Sequence, residues 1–567
     1  MDGAARWVWA LELEWAGLIR RVAEVDLAIT SEVFGALEFD AALEPIGFEE
    51  SLDLIETEPA ATEVGLLLDY GPGLPGILAA GHDLRLSVGI LRLVPVNVNG
   101  APLVVLERAP IIASGPLRSP AWGDPERPTV IQATLTQLAA PTQAPLIPPS
   151  SVLSEEVWPL AEPTHHGKSY PFVFGRPGAI RSGGNLVKRP GSPVYYPIAA
   201  ASAAVAPAFG LIAGHPVQAS TVEVYVVETD TWEGGVPVIL GDDLARQYRE
   251  GIEGGVSSSV SVAALYAGAA ALAVSGGLPP DLGIVSGLAF VDFSAMTAPP
   301  VGAQQAWVHW DTAPAFVGPD GRAVDTAGEL VLFLLRAAQV PFDLGRTRAV
   351  CAQLTHPVAG YLNDNSVTAW DYLQEVVLPL LPVTLVNSPA GLYPVLLTPE
   401  ALEGAAVFFE WTEGDAVEAV SAAQAEDNET PLAVRVAFGF DGLKESYVAQ
   451  AAAGPTGKAS QERSSTAWGK ALASRGFGAG ILELEGTIIR DTATAHRIAM
   501  EALALRSWPV VHRTYAAPAN VLLQLGDTGR VTDAQVGWTS EPAMVMGREW
   551  DGRRWLYRLA LRLRPRL

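Results

Sequence analysis

Apolar and polar positions alternate with a period of two along much of this chain, the spacing that sends successive side chains to opposite faces of a strand. Near the start, Trp7, Trp9, Leu11, Leu13 and Trp15 alternate with Val8, Ala10, Glu12 and Glu14. Ala16 and Gly17 predict a turn into a second strand over 21–31. Further strand-like runs lie at 51–56, 63–70, 84–98, 103–113 and 129–138, separated by the turn signals GPGLPG, NVNGAP and SPAWGDPERP. The Pro-rich run PTQAPLIPPS closes this all-β domain, which is assigned to 1–145.

The middle of the chain changes character twice. Residues 151–197 are irregular, and 221–228 then hold a clear strand, with VEVYVVE at its heart. Two stretches without charge, 191–222 and 254–280, reach the length of a membrane span. Prolines interrupt the first, and Ala, Gly and Ser dominate both, so the expectation is packed core or assembly surface and no stable membrane span. The most helical pattern lies at 322–390. Thr326 can cap a helix carrying Leu330, Leu332, Phe333, Leu334 and Leu335, and Ser366 or Thr368 can cap a second one that Pro379 ends. Strands return at 391–397, 405–411, 431–440 and 444–449.

The last stretch, 481–567, is the most regular. A strand-like run over 481–489 leads to Asp491 and Thr492, placed as helix caps. Ala495, Ile498, Ala499, Ala502, Leu503 and Leu505 follow near helical spacing and make one apolar stripe, which Pro509 ends. The runs VVHRTY, NVLLQL, RVTDAQVGW, AMVMGREW and RRWLYRLALRL then read as strands. Trp555, Tyr557, Leu559 and Leu561 alternate with Leu556, Arg558, Ala560 and Arg562 in the last. The unit predicted is one helix packed on a small antiparallel barrel or sheet.

Length and composition narrow the class. With 567 residues, one core is too few. A net charge of -25 is the wrong sign for a binder of phosphates. Only 17% of residues are charged, while 55 glycines and 44 prolines punctuate the chain, which suits many short strands. A 49% apolar content argues against disorder. Cys351 is the single cysteine, so no internal disulfide can form. The N-terminal MDGAARWVWALELEW lacks a basic region followed by an apolar one, so synthesis in a cytoplasm is expected.

Motifs that carry chemistry are missing. Gly71 to Gly76 spell G-x-G-x-x-G, but two prolines remove amide donors that a phosphate loop needs, so a turn is expected; GFGAG at 476–480 reads as a connector. There is no GxxxxGK[ST], HExxH, CxxC, GxSxG or SxxK. His165 and His166 adjoin without further ligands at metal spacing, and Cys351 and His356 lack a third partner. The acidic positions Glu413, Asp415, Glu418, Glu426, Asp427 and Glu429 read as solvated loop, with calcium the alternative. The expectation is no enzyme, no cofactor and no metal.

Several runs resemble the baseplate-hub family of long-tailed phages and gene transfer agents. They are GKSYPFVFGRPG (167–178), LIAGHPVQASTVEVY (211–225), TAWDYLQEVVLPLLPVTLVNSPAGLYPVLL (368–397), AVRVAFGFDGLKESYVA (433–449) and the C-terminal stretch with its RD…TA helix and LGDTGRVTD turn. The resemblance spans about 150–567 and rests mainly on the order of the runs. It implies a mainly β, multidomain fold with α+β insert domains: two tube-like β-barrels plus smaller inserted domains. The assignment that follows is a first barrel at 1–145, an irregular linker or plate segment at 146–214, a β domain at 215–320, a helical α+β insert at 321–402 and a C-terminal barrel with its helix at 403–567. Its structural signature here is Asp491, Gly526, Asp527, Gly529, Thr532 and Asp533. The family also implies a homotrimer in the virion tail tip, contacts with a distal tail protein and with tail fibre or tip proteins, and a channel through which DNA passes without specific binding. The rival readings are a glycan-binding tail protein and a hydrolase with a scattered site. For the first, Trp307 and Trp310 are the candidate exposed aromatic patch.

Overall fold

The computed structural model describes residues 6–562 apart from internal stretches, the longest being 52–61, 70–84, 201–208, 241–287, 399–406, 413–417, 425–432 and 454–480. The GPGLPG and GFGAG turns, the second uncharged run and all the acidic positions except Glu418 lie outside the described residues. The chain is mainly β and multidomain, and no described helix is long and apolar enough to cross a membrane.

The alternating N-terminal segment forms the strand Arg6–Trp15, paired antiparallel with Leu18–Ala23 and with Val88–Val96. Trp9, Leu11 and Leu13 enter one large apolar core, while Val8 and Ala10 enter a smaller one with Leu27, Ile29 and Phe39. Both faces are covered, which is why the polar side of the pattern is so weak. The segment 103–113 is not one strand: a short helical turn, Leu106–Arg108, precedes the strand Ile111–Ala121.

One sheet of 15 strands joins the two ends of the chain. From Glu418–Gln424 it runs through Val510–Ala517, Trp555–Arg562 and Trp538–Trp550 into Leu43–Ser51. It continues through Thr62–Asp69, Val130–Gln137, Ile111–Ala121, Val88–Val96, Arg6–Trp15, Leu18–Ala23 and Gly35–Ala41 to Leu27–Ser31. Thr528–Asp533 and Phe409–Trp411 branch from Trp538–Trp550. At the seam Gly547, Arg548, Glu549 and Trp550 face Ser51, Glu50, Glu49 and Phe48. The path has two free ends, so among the described residues the sheet is not closed into either barrel. The halves instead share one core, in which Trp9, Trp550, Trp555 and Phe48 meet edge to face.

A second core gathers the helical insert. Thr326 caps the helix Ala327–Ala337, Asp343 caps Leu344–Cys351, and Thr368 caps Ala369–Tyr372, which runs on through a wide turn to Leu378–Leu380. The middle helix carries no apolar stripe, only Thr347 and Cys351 being buried, so periodicity does not announce it. The helix Thr492–Ser507 also belongs here: Ala495, Ile498, Ala499 and Leu503 enter this core, against the sheet of Ser446–Ala453, Ala433–Asp441 and Ile481–Gly486. The expected packing of this helix on the barrel strands is therefore corrected. Its leading strand, Ile481–Gly486, pairs in parallel with Ala433–Asp441 and is drawn away from the large sheet. The NVLLQL run is not a strand either; the Tyr557 hydroxyl accepts from the Leu523 amide at 3.0 Å and donates to the Val521 carbonyl at 2.6 Å, replacing ladder partners.

A third core lies between two small sheets. One joins Ser192–Pro193, Ala306–His309, Val222–Val226 and Thr231–Gly235; the other joins Phe209–Ala213, Leu288–Asp292 and Pro237–Leu240.

Candidate functional site at the junction of insert and sheet

Of the signature residues, Gly526 and Asp527 sit where the helical insert meets the large sheet. Asp491 caps its helix: the Thr494 amide donates to Oδ1 at 2.7 Å and the Thr494 hydroxyl to Oδ2 at 2.5 Å. Beside it, Arg490 is buried and donates to the carbonyls of Ala359 (3.1 Å) and Phe440 (2.6 Å), so it clamps three segments. Burial brings its guanidinium down to about 10. This arginine belongs to the quoted RD run but the signature omitted it.

The LGDTGR turn follows backbone necessity. Gly526 has φ +78°, and a Cβ there would lie 2.4 Å from a Val395 methyl. At Gly529 a Cβ would lie 2.3 Å from the Phe409 carbonyl oxygen. Asp527 accepts from the Gln524 amide at 2.8 Å and from Arg346 at 3.3 Å. Burial nevertheless raises its carboxyl above the usual range. Thr532 accepts from the Ser540 amide at 3.0 Å. Asp533 accepts from the Tyr515 hydroxyl at 2.9 Å, and Arg513 Nε lies 2.7 Å from the same oxygen. The turn is thus fixed against the strands Tyr393–Leu396 and Phe409–Trp411.

A cleft of about 770 Å³ opens between this turn, the helix Leu344–Cys351, the strand Tyr393–Leu396 and the helix Thr492–Ser507. Arg346 crosses it, 4.6 Å above the Tyr393 ring and 5.9 Å from Phe408. On the opposite wall, buried His356 meets Glu501 (Nε2 to Oε2, 2.9 Å). Glu501 also pairs with Arg497 at 2.8 Å, and Arg497 donates to Thr355 at 3.2 Å. A histidine oriented by a carboxylate resembles a general-base dyad. Here, however, His356 Nδ1 is buried and has no hydrogen-bond partner, so it is closed to a substrate.

The remaining candidates are dispersed. Cys351 is buried, its thiol pushed up to about 12 by burial, and the His356 ring is engaged with Glu501. His165 accepts from the Tyr196 amide through Nδ1 at 2.9 Å; burial, then the charges of Lys168 and His166, bring it down to about 4. Among the described residues no group of three or more His, Cys, Asp and Glu is placed to hold a metal ion. Trp307 is half-buried, edge-on to Tyr361, whereas Trp310 is fully buried and donates to the Ser192 hydroxyl at 3.1 Å. The two tryptophans therefore do not form an exposed patch: they alternate across Trp307–Val308–His309–Trp310, and the third core claims Trp310. Arg346, His356 and Glu501 were not read as one site, because only folding brings them to one cleft.

No family model matches the chain, and no curated protein matches it. Among solved structures, a tail protein from Neisseria meningitidis MC58 aligns over 98% of this chain and 96% of its own, at 8% identity and a TM-score of 0.35. The 43 kDa tail protein of prophage MuSo2 from Shewanella oneidensis aligns over 98% of both chains, at 8% identity and a TM-score of 0.30. A chain of the native gene transfer agent virion covers 70% of this chain and 85% of its own, at 15% identity and a TM-score of 0.35. TM-scores this low do not establish a shared fold.

Proposed function

We propose that the chain is a structural tail-tip hub protein of a phage-like particle, joining the tail tube to the tip and forming part of the channel through which DNA leaves. The observation that carries this reading is the seam. The first and last strand groups of the chain pair edge to edge into one wall, and the RD…TA and LGDTGR runs that resemble the hub family brace that wall against the insert. In the particle the chain acts as a homotrimer, contacts a distal tail protein and tail fibre or tip proteins, and catalyses nothing. Its surplus of acid, 62 Asp and Glu against 37 Lys and Arg, keeps phosphates from adhering to the channel. Removing residues from 481 onward tests the reading: particles made with the shortened chain lack a tail tip. Normal tails from that truncation would refute it.

A further inference from the structure

We propose that His356, Glu501 and Arg497 form an acid-sensitive latch that holds the helix Thr492–Ser507, and the strands that follow it, against the helical insert. The latch does not depend on which assembly contains the chain. His356 joins two elements at once. Its backbone carbonyl accepts from the Ala327 amide (2.9 Å) at the start of the helix Ala327–Ala337, while its ring reaches Glu501 on the C-terminal helix. The loop of contacts His356–Glu501–Arg497–Thr355 closes on itself, so the helix is gripped at two positions one turn apart. Beyond Ser507 the chain enters the large sheet as Val510–Ala517.

The charge balance makes the grip depend on pH. With His356 neutral, one carboxylate faces one guanidinium. Among the described residues, Glu501 is the acid that bridges the two bases. When it takes up a proton, the Arg497 guanidinium loses its counter-charge and the buried His356 ring loses its carboxylate partner. Burial pushes the Glu501 carboxyl up, but hydrogen bonds and charge from His356 and Arg497 outweigh it, leaving it below the usual carboxylate range. A lowered carboxylate contributes stability at neutral pH that is lost as pH falls through its folded value. Neighbouring acids are engaged elsewhere: Glu329 of the helix Ala327–Ala337 pairs with Arg322, and Asp527 across the cleft pairs with Arg346. The helices also carry Arg336, Arg348 and His496, and the sheet under the C-terminal helix carries three further acids, each engaged within that sheet: Glu483 pairs with Arg435, Glu485 accepts from the Tyr447 hydroxyl, and Asp441 accepts from the Leu443 and Lys444 amides.

Amide hydrogen exchange on the full chain, corrected for intrinsic rates, tests the latch. In the wild type, protection of the helix Thr492–Ser507 falls severalfold as pH drops below 4.5, the ordinary carboxyl value, ahead of the helix Ala327–Ala337. Glu501→Gln lowers protection at pH 7 and removes the extra acid loss. His356→Gln keeps a neutral hydrogen-bonding side chain there, and its acid loss is smaller than in the wild type. Equal pH slopes in the wild type and both variants, or loss of both helices together, would overturn the proposal.

Discussion

Glu50 and Arg548, 498 positions apart, meet as a buried ion pair across the seam of the large sheet. Their strands run antiparallel, with the two residues directly opposite. The Arg548 guanidinium also lies 4.9 Å from the Phe48 ring centre and 5.9 Å from that of Trp555, so the charge is enclosed by aromatic walls. Each partner offsets the buried charge of the other.

Truncating either partner strands a buried charge, which costs about 3–5 kcal/mol. Arg548→Met and Glu50→Leu should each lower the free energy of unfolding by that amount, read from denaturant titration. The double replacement should recover most of the loss, because no charge then remains. A double variant as unstable as the sum of the singles would show that the pair is not coupled.

The turn at the junction gives a second expectation. Gly526→Ala demands a left-handed backbone from alanine and drives its methyl into Val395. A loss of about 1–3 kcal/mol follows, read as a lowered melting temperature. Gly529→Ala meets backbone at Phe409 and should cost no less. Wild-type stability in either variant would contradict the described packing.

The pH dependence of His165 has a defined sign. Its folded value lies near 4 against an ordinary 6.5, so between those limits the unfolded chain binds the proton and the folded chain does not. Stability therefore falls as pH drops from about 6.5 toward 4. His165→Gln should flatten denaturation free energy over that window. An unchanged slope would assign the acid sensitivity to other groups.

Cys351 should be chemically silent. A thiol pushed to about 12 is almost wholly protonated at neutral pH, and this one is also buried. Iodoacetamide should label it only after denaturation. Rapid labelling of the native chain would contradict its burial.

Strand-forming stretches were legible at several places where one face of the strand is covered, although Gly35–Ala41 and Leu43–Ser51 went unread. The Trp555–Leu559 alternation is a legible example: Trp555, Tyr557 and Leu559 are buried and Arg558 is exposed. Capping was equally legible at Thr326 and Asp491, since a cap is a local event. The seam was not. Glu49 and Glu50 look like solvent-facing acids, and nothing local reveals that Arg548 lies opposite. The helix Leu344–Cys351 escaped because the sheet and insert hold it without an apolar stripe. His356 looked isolated for a similar reason: its partner lies 145 positions away, on the helix Thr492–Ser507.

The central claim concerns place and symmetry. A reconstruction of the assembled particle, resolved to single subunits, tests it most directly. Three copies should surround the axis at the tail tip, with the acidic surplus concentrated on the channel wall. Six copies, a single copy, a location away from the axis, or a neutral or positive lumen with the acid on the outer wall would contradict the account.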